Sequence, residues 1–192
     1  HYPKYGEVDV RFRIQEPMKF KFSMRVPACV KVKRFKVNDE FVTSGIPEKG
    51  GYVTLERTWK PGDAVIVEFD LPVRMHRVEN HVAFSRGPVL LARDSRFGDG
   101  DVGAVLRARD MSMMFAEGNE VRFPVEHFSN MDGMRMTVSA SLPVGGHDEN
   151  LDRRAFATVR FCDYASAGNR WSPSNYYRVW FPLSRNPVDV LK

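Results

Sequence analysis

Met18-Lys19-Phe20-Lys21-Phe22-Ser23-Met24-Arg25-Val26 alternates apolar and polar side chains from end to end. A strand throws successive side chains to opposite faces, so a period of two marks a strand with one buried and one wet face, whereas a helix would repeat every 3.6 residues. The same period extends in both directions. Upstream, Val8, Val10, Phe12 and Ile14 alternate with Glu7, Asp9, Arg11 and Arg13. Downstream, Val30 and Val32 give way to Phe35 and Val37, a change of parity that a β-bulge or a tight bend explains, and Asn38-Asp39 then reads as a turn.

Further strands are expected over Gly51 to Thr58, over Asp63 to Val73 with Val65, Val67, Phe69 and Leu71 on one face, and over His81 to Ala92 around Arg86-Gly87-Pro88. Met134, Met136, Val138, Ala140 and Leu142 continue the pattern, followed by Ala157, Val159 and Phe161 and by Tyr177, Val179 and Phe181. Lys60-Pro61-Gly62-Asp63 and Pro143-Val144-Gly145-Gly146 supply turn chemistry between them. Short strands separated by such turns predict an all-β chain built as antiparallel, jelly-roll-like β-sandwiches rather than βαβ units. Only Val102 to Gly118 carries a helical hint, through Val102, Val105, Leu106 and Met113, and is read as a connector. The glycine-rich, acidic run within Arg93 to Gly103 is the expected boundary between two sandwiches.

Composition sets the class. The chain has 192 residues, 43% hydrophobic and 28% charged, enough apolar material to fold and room for one large β domain or two small ones. No apolar run approaches the roughly 20 residues of a membrane-spanning helix, and no membrane partner is expected. The net charge of +5 is local: residues 1 to 37 carry ten Lys and Arg against three acidic residues, and the remainder is slightly acidic. A basic stretch of this kind suits phosphate, but these charges alternate one-for-one with apolar residues. That is the signature of a solvated sheet face, and no nucleic-acid partner is expected. Cys29 and Cys162 are the only cysteines and are read as unpaired packing residues.

A set of short motifs stands in fixed order: Tyr2-Pro3-Lys4-Tyr5-Gly6, Met24-Arg25-Val26-Pro27, Val37-Asn38-Asp39, Gly51-Tyr52-Val53-Thr54-Leu55-Glu56-Arg57-Thr58-Trp59-Lys60-Pro61-Gly62-Asp63 and Arg86-Gly87-Pro88-Val89-Leu90. Between Tyr5 and Arg93 this series resembles the region that follows the catalytic barrel in glycoside hydrolase family 127, the β-L-arabinofuranosidase-like family, and its uncharacterised relatives. Ala167-Gly168-Asn169-Arg170 and Arg178-Val179-Trp180 look like the closing strands of that region. Two positions depart from the family pattern: Ala28-Cys29 stands where Gly-Trp is usual, and Asp39 replaces the glycine of the turn.

The resemblance implies an architecture. Members of the family carry an (α/α)6 barrel whose cysteine nucleophile, glutamate acid/base and bound zinc do the chemistry, and two β-sandwiches follow it. No motif of the barrel is present in this chain, so no catalytic residue, metal ligand or cofactor carries over. The expected partner is the (α/α)6 barrel of the same parent chain, a bacterial glycoside hydrolase. The resemblance also implies a first sandwich over residues 15–96 and a second over 1–14 plus 97–192, the opening strand pairing with the last hundred residues. The residues fix no location; a periplasmic or extracellular parent fits.

A sugar-binding surface is the one local function to weigh, because aromatic faces stack on sugar C–H groups while amides and charged groups bond the hydroxyls. Asn169, Arg170, Trp171 and Tyr176, within the polar run Asn169 to Tyr177, form the candidate site of a carbohydrate-binding module. Packing of Trp171 against a neighbouring domain is the competing use of the same side chain. The acidic run Asp148-Glu149-Asn150-Leu151-Asp152 reads as a solvated loop, and His1, His76, His81, His127 and His147 show no metal-ligand spacing. Trp59 and Trp180 are read as packing or interface residues.

Overall fold

The computed structural model describes residues 2–126, 133–145, 156–170 and 172–184. The chain divides into two compact units, His1–Pro72 and Val73–Lys192. Every ladder between named strands is antiparallel, as the alternation predicts.

The first unit contains β1 (Glu7–Arg11), β2 (Met18–Val26), β3 (Lys31–Val37), β4 (Glu40–Phe41), β5 (Gly51–Trp59) and β6 (Ala64–Asp70). One sheet runs β1-β6-β3-β4, and β2 and β5 form a second sheet of two strands. The alternation sorts the side chains as expected. Val26, Phe35, Val53, Trp59, Val65, Val67 and Phe69 are buried together in the core, with Val8, Val10, Phe12, Phe20, Phe22 and Met24 packed against them. Trp59 is wholly buried, its ring centroid 4.3 Å from that of Phe12, and its Nε1 donates to the Phe20 carbonyl at 3.2 Å. The opposite face of β2 and β5 is polar. Lys19 and Lys21 reach Glu56 at 3.8 and 3.5 Å, and the hydroxyls of Ser23 and Thr54 meet at 2.8 Å.

The parity change in β3 is a bulge: Val32 faces Phe69 and Arg34 faces Glu68, leaving Lys33 as the extra residue. Asn38-Asp39 closes the two-residue link between β3 and β4, with Asn38 at φ 54°. At Lys60-Pro61-Gly62-Asp63 the Asp63 N–H donates to the Lys60 carbonyl at 3.1 Å and Gly62 adopts φ 87°, the arrangement of a type II turn.

The second unit contains β7 (Val73–Val78), β8 (His81–Arg86), β9 (Val89–Asp94), α1 (Ala108–Met114), β10 (Val125–Glu126), β11 (Thr137–Leu142), β12 (Ala157–Asp163), β13 (Tyr177–Arg178) and β14 (Phe181–Pro182). The sheet runs β10-β11-β12-β9-β8-β14, with β7 on β8 and β13 on β9. Its core gathers Phe84, Phe123, Phe161 and Phe181 around Leu91, Leu106, Met111, Val138 and Leu142. Short helix α1 lies inside the span read as a connector and buries Ala108 and Met111. Among the described residues no helix is long and apolar enough to cross a membrane.

Three expectations are corrected. The opening strand does not pair with the last hundred residues: β1 pairs with β6, Val8 facing Val67 and Val10 facing Val65, inside the first unit. The allotment of 1–14 to the second sandwich therefore fails. The division falls at Pro72, not near residue 96, because β8 and β9 pair with β12, β13 and β14. Thirdly, Tyr177 to Phe181 is not one strand. Tyr177 pairs with Asp94 and Phe181 with Val82, with the ladder broken at Val179 and Trp180.

Candidate functional site

The run Arg93 to Gly103, whose Gly and Asp content suggested a linker, is a folded corner of the second unit. Its charges are internal. Arg93 donates to Asp99 at 3.1 Å with both side chains almost fully buried, and the second Asp99 oxygen accepts from the Arg160 N–H at 3.0 Å. Asp94, 1% exposed, caps the short 3-10 turn Ser95–Phe97. Four donors converge on its carboxylate: Arg96 N–H at 3.0 Å, Arg96 Nε at 2.9 Å, Arg96 Nη2 at 2.7 Å and Gly168 N–H at 2.9 Å. Burial pushes this carboxyl upward, but the Arg96 and Gly168 hydrogen bonds outweigh it and hold the group below the usual carboxylate range.

Asp94 thus ties the end of β9 to the loop after β12. That loop begins with Asp163, which accepts from the Met136 N–H at 3.0 Å and from the Ser166 hydroxyl at 2.7 Å. Tyr164–Ser166 forms a second 3-10 turn, and the chain continues through Gly168 and Asn169.

Of the four candidate residues from the sequence, Asn169 is the one the structure engages most fully, and as part of the scaffold. Its Oδ1 accepts from Arg96 Nη1 at 2.8 Å, and its Nδ2 donates to the Gly133 carbonyl at 2.9 Å. The Arg170 carbonyl accepts from Asn175 Nδ2 at 2.9 Å, closing the loop on itself. Tyr176 is 57% exposed, and its N–H donates to the Ser95 hydroxyl at 3.1 Å. Trp171 lies outside the described residues, as do Asp148 to Asp152, His1, His127 and His147.

Sequence reasoning missed two residues of this corner. Tyr164 and Tyr177 are both about half exposed, with ring centroids 6.1 Å apart at 62°. Charge and a hydrogen bond from the neighbouring Tyr164 phenol raise the Tyr177 phenol above its usual range. Gly168 backs the Tyr177 ring: at φ 65° a Cβ there would lie 2.8 Å from its edge atoms. The alternation sets Tyr177 in one strand with Val179 and Phe181. The missed signal was the break in the strand after Arg178.

Chemically, this corner is a rigid polar frame carrying exposed aromatics. A glycosidase acid needs a carboxyl with a raised pKa beside a second carboxylate. Asp94 is shifted the other way and saturated with donors. Among the described residues no group of three or more His, Cys, Asp and Glu could hold a metal ion.

Comparison with known proteins finds a family model over part of the chain and solved structures of the same fold. Residues 1–71 match the family model described as Beta-L-arabinofuranosidase, GH127 middle domain. The resemblance read from the motifs holds. Three solved structures share the fold of nearly the whole chain: a glycoside hydrolase (20% identity, TM-score 0.68, 96% of this chain), a GH127 beta-L-arabinofuranosidase from Geobacillus stearothermophilus T6 (18%, 0.65, 95%) and another GH127 beta-arabinofuranosidase (17%, 0.66, 95%). The chain covers only 31%, 29% and 30% of their respective lengths. The likeness to these structures is one of fold, over less than a third of each. No curated protein sequence matches it.

Proposed function

We propose that the chain is the non-catalytic accessory β-sandwich region of a glycoside hydrolase of the GH127 type, packed against and supporting an (α/α)6 catalytic barrel of the same parent polypeptide. The observation that carries this reading is coverage: nearly all of the chain matches glycoside hydrolases, yet it accounts for less than a third of each. The chemistry of the Asp94 corner supports it. The buried carboxylates Asp94, Asp99 and Asp163 each accept hydrogen bonds from neighbouring strands and loops, which makes them framework groups rather than acids or nucleophiles.

The test has two arms. The chain alone, given p-nitrophenyl arabinofuranosides, is expected to release no p-nitrophenol above background. Deleting it from the parent polypeptide is expected to leave the catalytic part poorly soluble, with a lowered unfolding temperature. Turnover by the isolated chain, or full stability and activity after the deletion, would overturn the proposal.

A further inference from the structure

The geometry points to the aromatic corner around β13 as the surface on which the remainder of the parent polypeptide packs; this rests on the accessory reading above and names the face that serves it. Tyr164, Tyr176, Tyr177 and Trp180 are 48, 57, 45 and 42% exposed. Three of them stand on β13 or within two residues of it, and the fourth, Tyr164, has its ring 6.1 Å from that of Tyr177. Leaving four half-exposed aromatic rings together in water is costly, and clustered exposure of this kind marks a contact surface. The frame beneath holds them in place. The Ser95 N–H donates to the Tyr176 carbonyl at 2.9 Å, Gly168 lies against the Tyr177 ring, and the Gly168 N–H is anchored on buried Asp94 at 2.9 Å. Side chains fixed in advance lose little freedom when a partner covers them.

Composition and shape select a protein surface. Tyr, Trp and Arg are the residues that carry most of the energy of protein contacts, and exposed Arg178 stands beside Tyr177 in β13. The Tyr164 and Tyr177 rings meet at 62°, so the corner is stepped rather than flat, a relief into which a partner's side chains interlock. Area then selects which protein. Four aromatic side chains of about 150–250 Å² each, about half exposed, offer a patch of roughly 400 Å². A stable dimer needs about 800 Å² from each copy. A partner joined covalently is present at high effective concentration and is held by a smaller patch. The solved glycoside hydrolases match 95–96% of this chain with less than a third of their own length, so a parent of that size has more than two-thirds of its residues left to supply the partner.

The test is hydroxyl-radical footprinting of the isolated chain and of the full parent polypeptide, read by mass spectrometry at Tyr164, Tyr176, Tyr177 and Trp180. Modification in the isolated chain and its loss at these residues in the parent is the expected result. Retained modification in a parent that deletion of the chain still destabilises would overturn this surface and leave the accessory reading standing. Protection of the isolated chain that grows with its concentration, or that follows addition of arabinan oligosaccharides, would assign the corner to a second copy or to a sugar and equally overturn it. The double substitution Tyr164→Ser and Tyr177→Ser is expected to lower the unfolding temperature of the parent by more than that of the isolated chain, because the parent alone loses the contact. An equal drop in both counts against the proposal. If that variant does not fold, footprinting of the two native proteins decides.

Discussion

Asn38 Nδ2 donates to Asp63 Oδ1 across 3.0 Å, joining two turns 25 residues apart. Both ends of the amide are used, since Asn38 Oδ1 accepts from the Ala64 N–H at 2.9 Å. The other Asp63 oxygen accepts from the Lys60 N–H at 2.9 Å and so holds the Lys60-Pro61-Gly62-Asp63 turn closed. The β3–β4 link and the β5–β6 turn are therefore one hydrogen-bonded assembly. Asn38→Ala strands a partly buried carboxylate oxygen and a backbone donor, and is expected to destabilise the first unit by about 1–3 kcal/mol. Urea unfolding followed by tryptophan fluorescence checks this, with a lower midpoint at unchanged slope as the expected result.

Trp59 is wholly buried against Phe12, Phe20 and Phe22. Trp59→Ala removes the largest side chain of this core and is expected to cost about 3–5 kcal/mol, against a smaller loss for Trp59→Phe. Near-UV circular dichroism and the unfolding temperature distinguish the two: the Phe variant is expected to keep a cooperative transition.

Asp94 and Asp63 both titrate below the usual carboxylate range in the folded chain. In Asp94 the hydrogen bonds from Arg96 and Gly168 overcome burial. In Asp63 the Lys60 N–H and the Asn38 amide dominate. A carboxyl depressed by folding contributes stability that is fully present above its unfolded value, about 3.9, and is lost as pH falls through the folded value. The unfolding temperature is therefore expected to hold from neutral pH to about pH 5 and to fall below about pH 4. Asp94→Asn is expected to be less stable at neutral pH but to show a shallower acid decline; a parallel curve would count against the assignment.

Cys162 is fully buried and its Sγ points at the Ala92 carbonyl at 3.6 Å. Burial, with Asp94 and Asp163 nearby, pushes its thiol up to about 12. The thiolate is the reactive form, so Cys162 is expected to resist Ellman's reagent at pH 8 in the folded chain and to react once guanidinium unfolds it. Mass spectrometry of the labelled peptides locates the reagent; rapid native labelling at Cys162 would contradict this packing.

Much of the β architecture was legible because a strand's side-chain period is two and the burial follows it residue by residue, down to the bulge at Lys33. The partners of each strand were not. Glu7 to Arg11 has the same pattern whichever sheet it joins, and only the pairing of Val8 with Val67 places it. The Arg93 to Gly103 run shows why composition misled: Asp94 and Asp99 have the look of solvated loop acids until Arg96, Arg160 and Gly168 surround them. The last two lie more than 60 residues away. The candidate site was half legible. Asn169 was found by its polar neighbourhood, whereas Tyr164 and Tyr177 are separate in sequence and meet only through β13.

By itself the sequence determined the β class, the two-faced strands, the turns at Asn38-Asp39 and Lys60 to Asp63, and the likeness to the β region of GH127. These depend on local dihedral preferences and on the ordered spacing of short motifs. Only the tertiary structure decided the division at Pro72, the burial of the Asp94 carboxylate and the pairing of the two exposed tyrosines. Each of these rests on contacts between residues far apart in the chain, and alternation carries no information about which partner a strand or a charge will find.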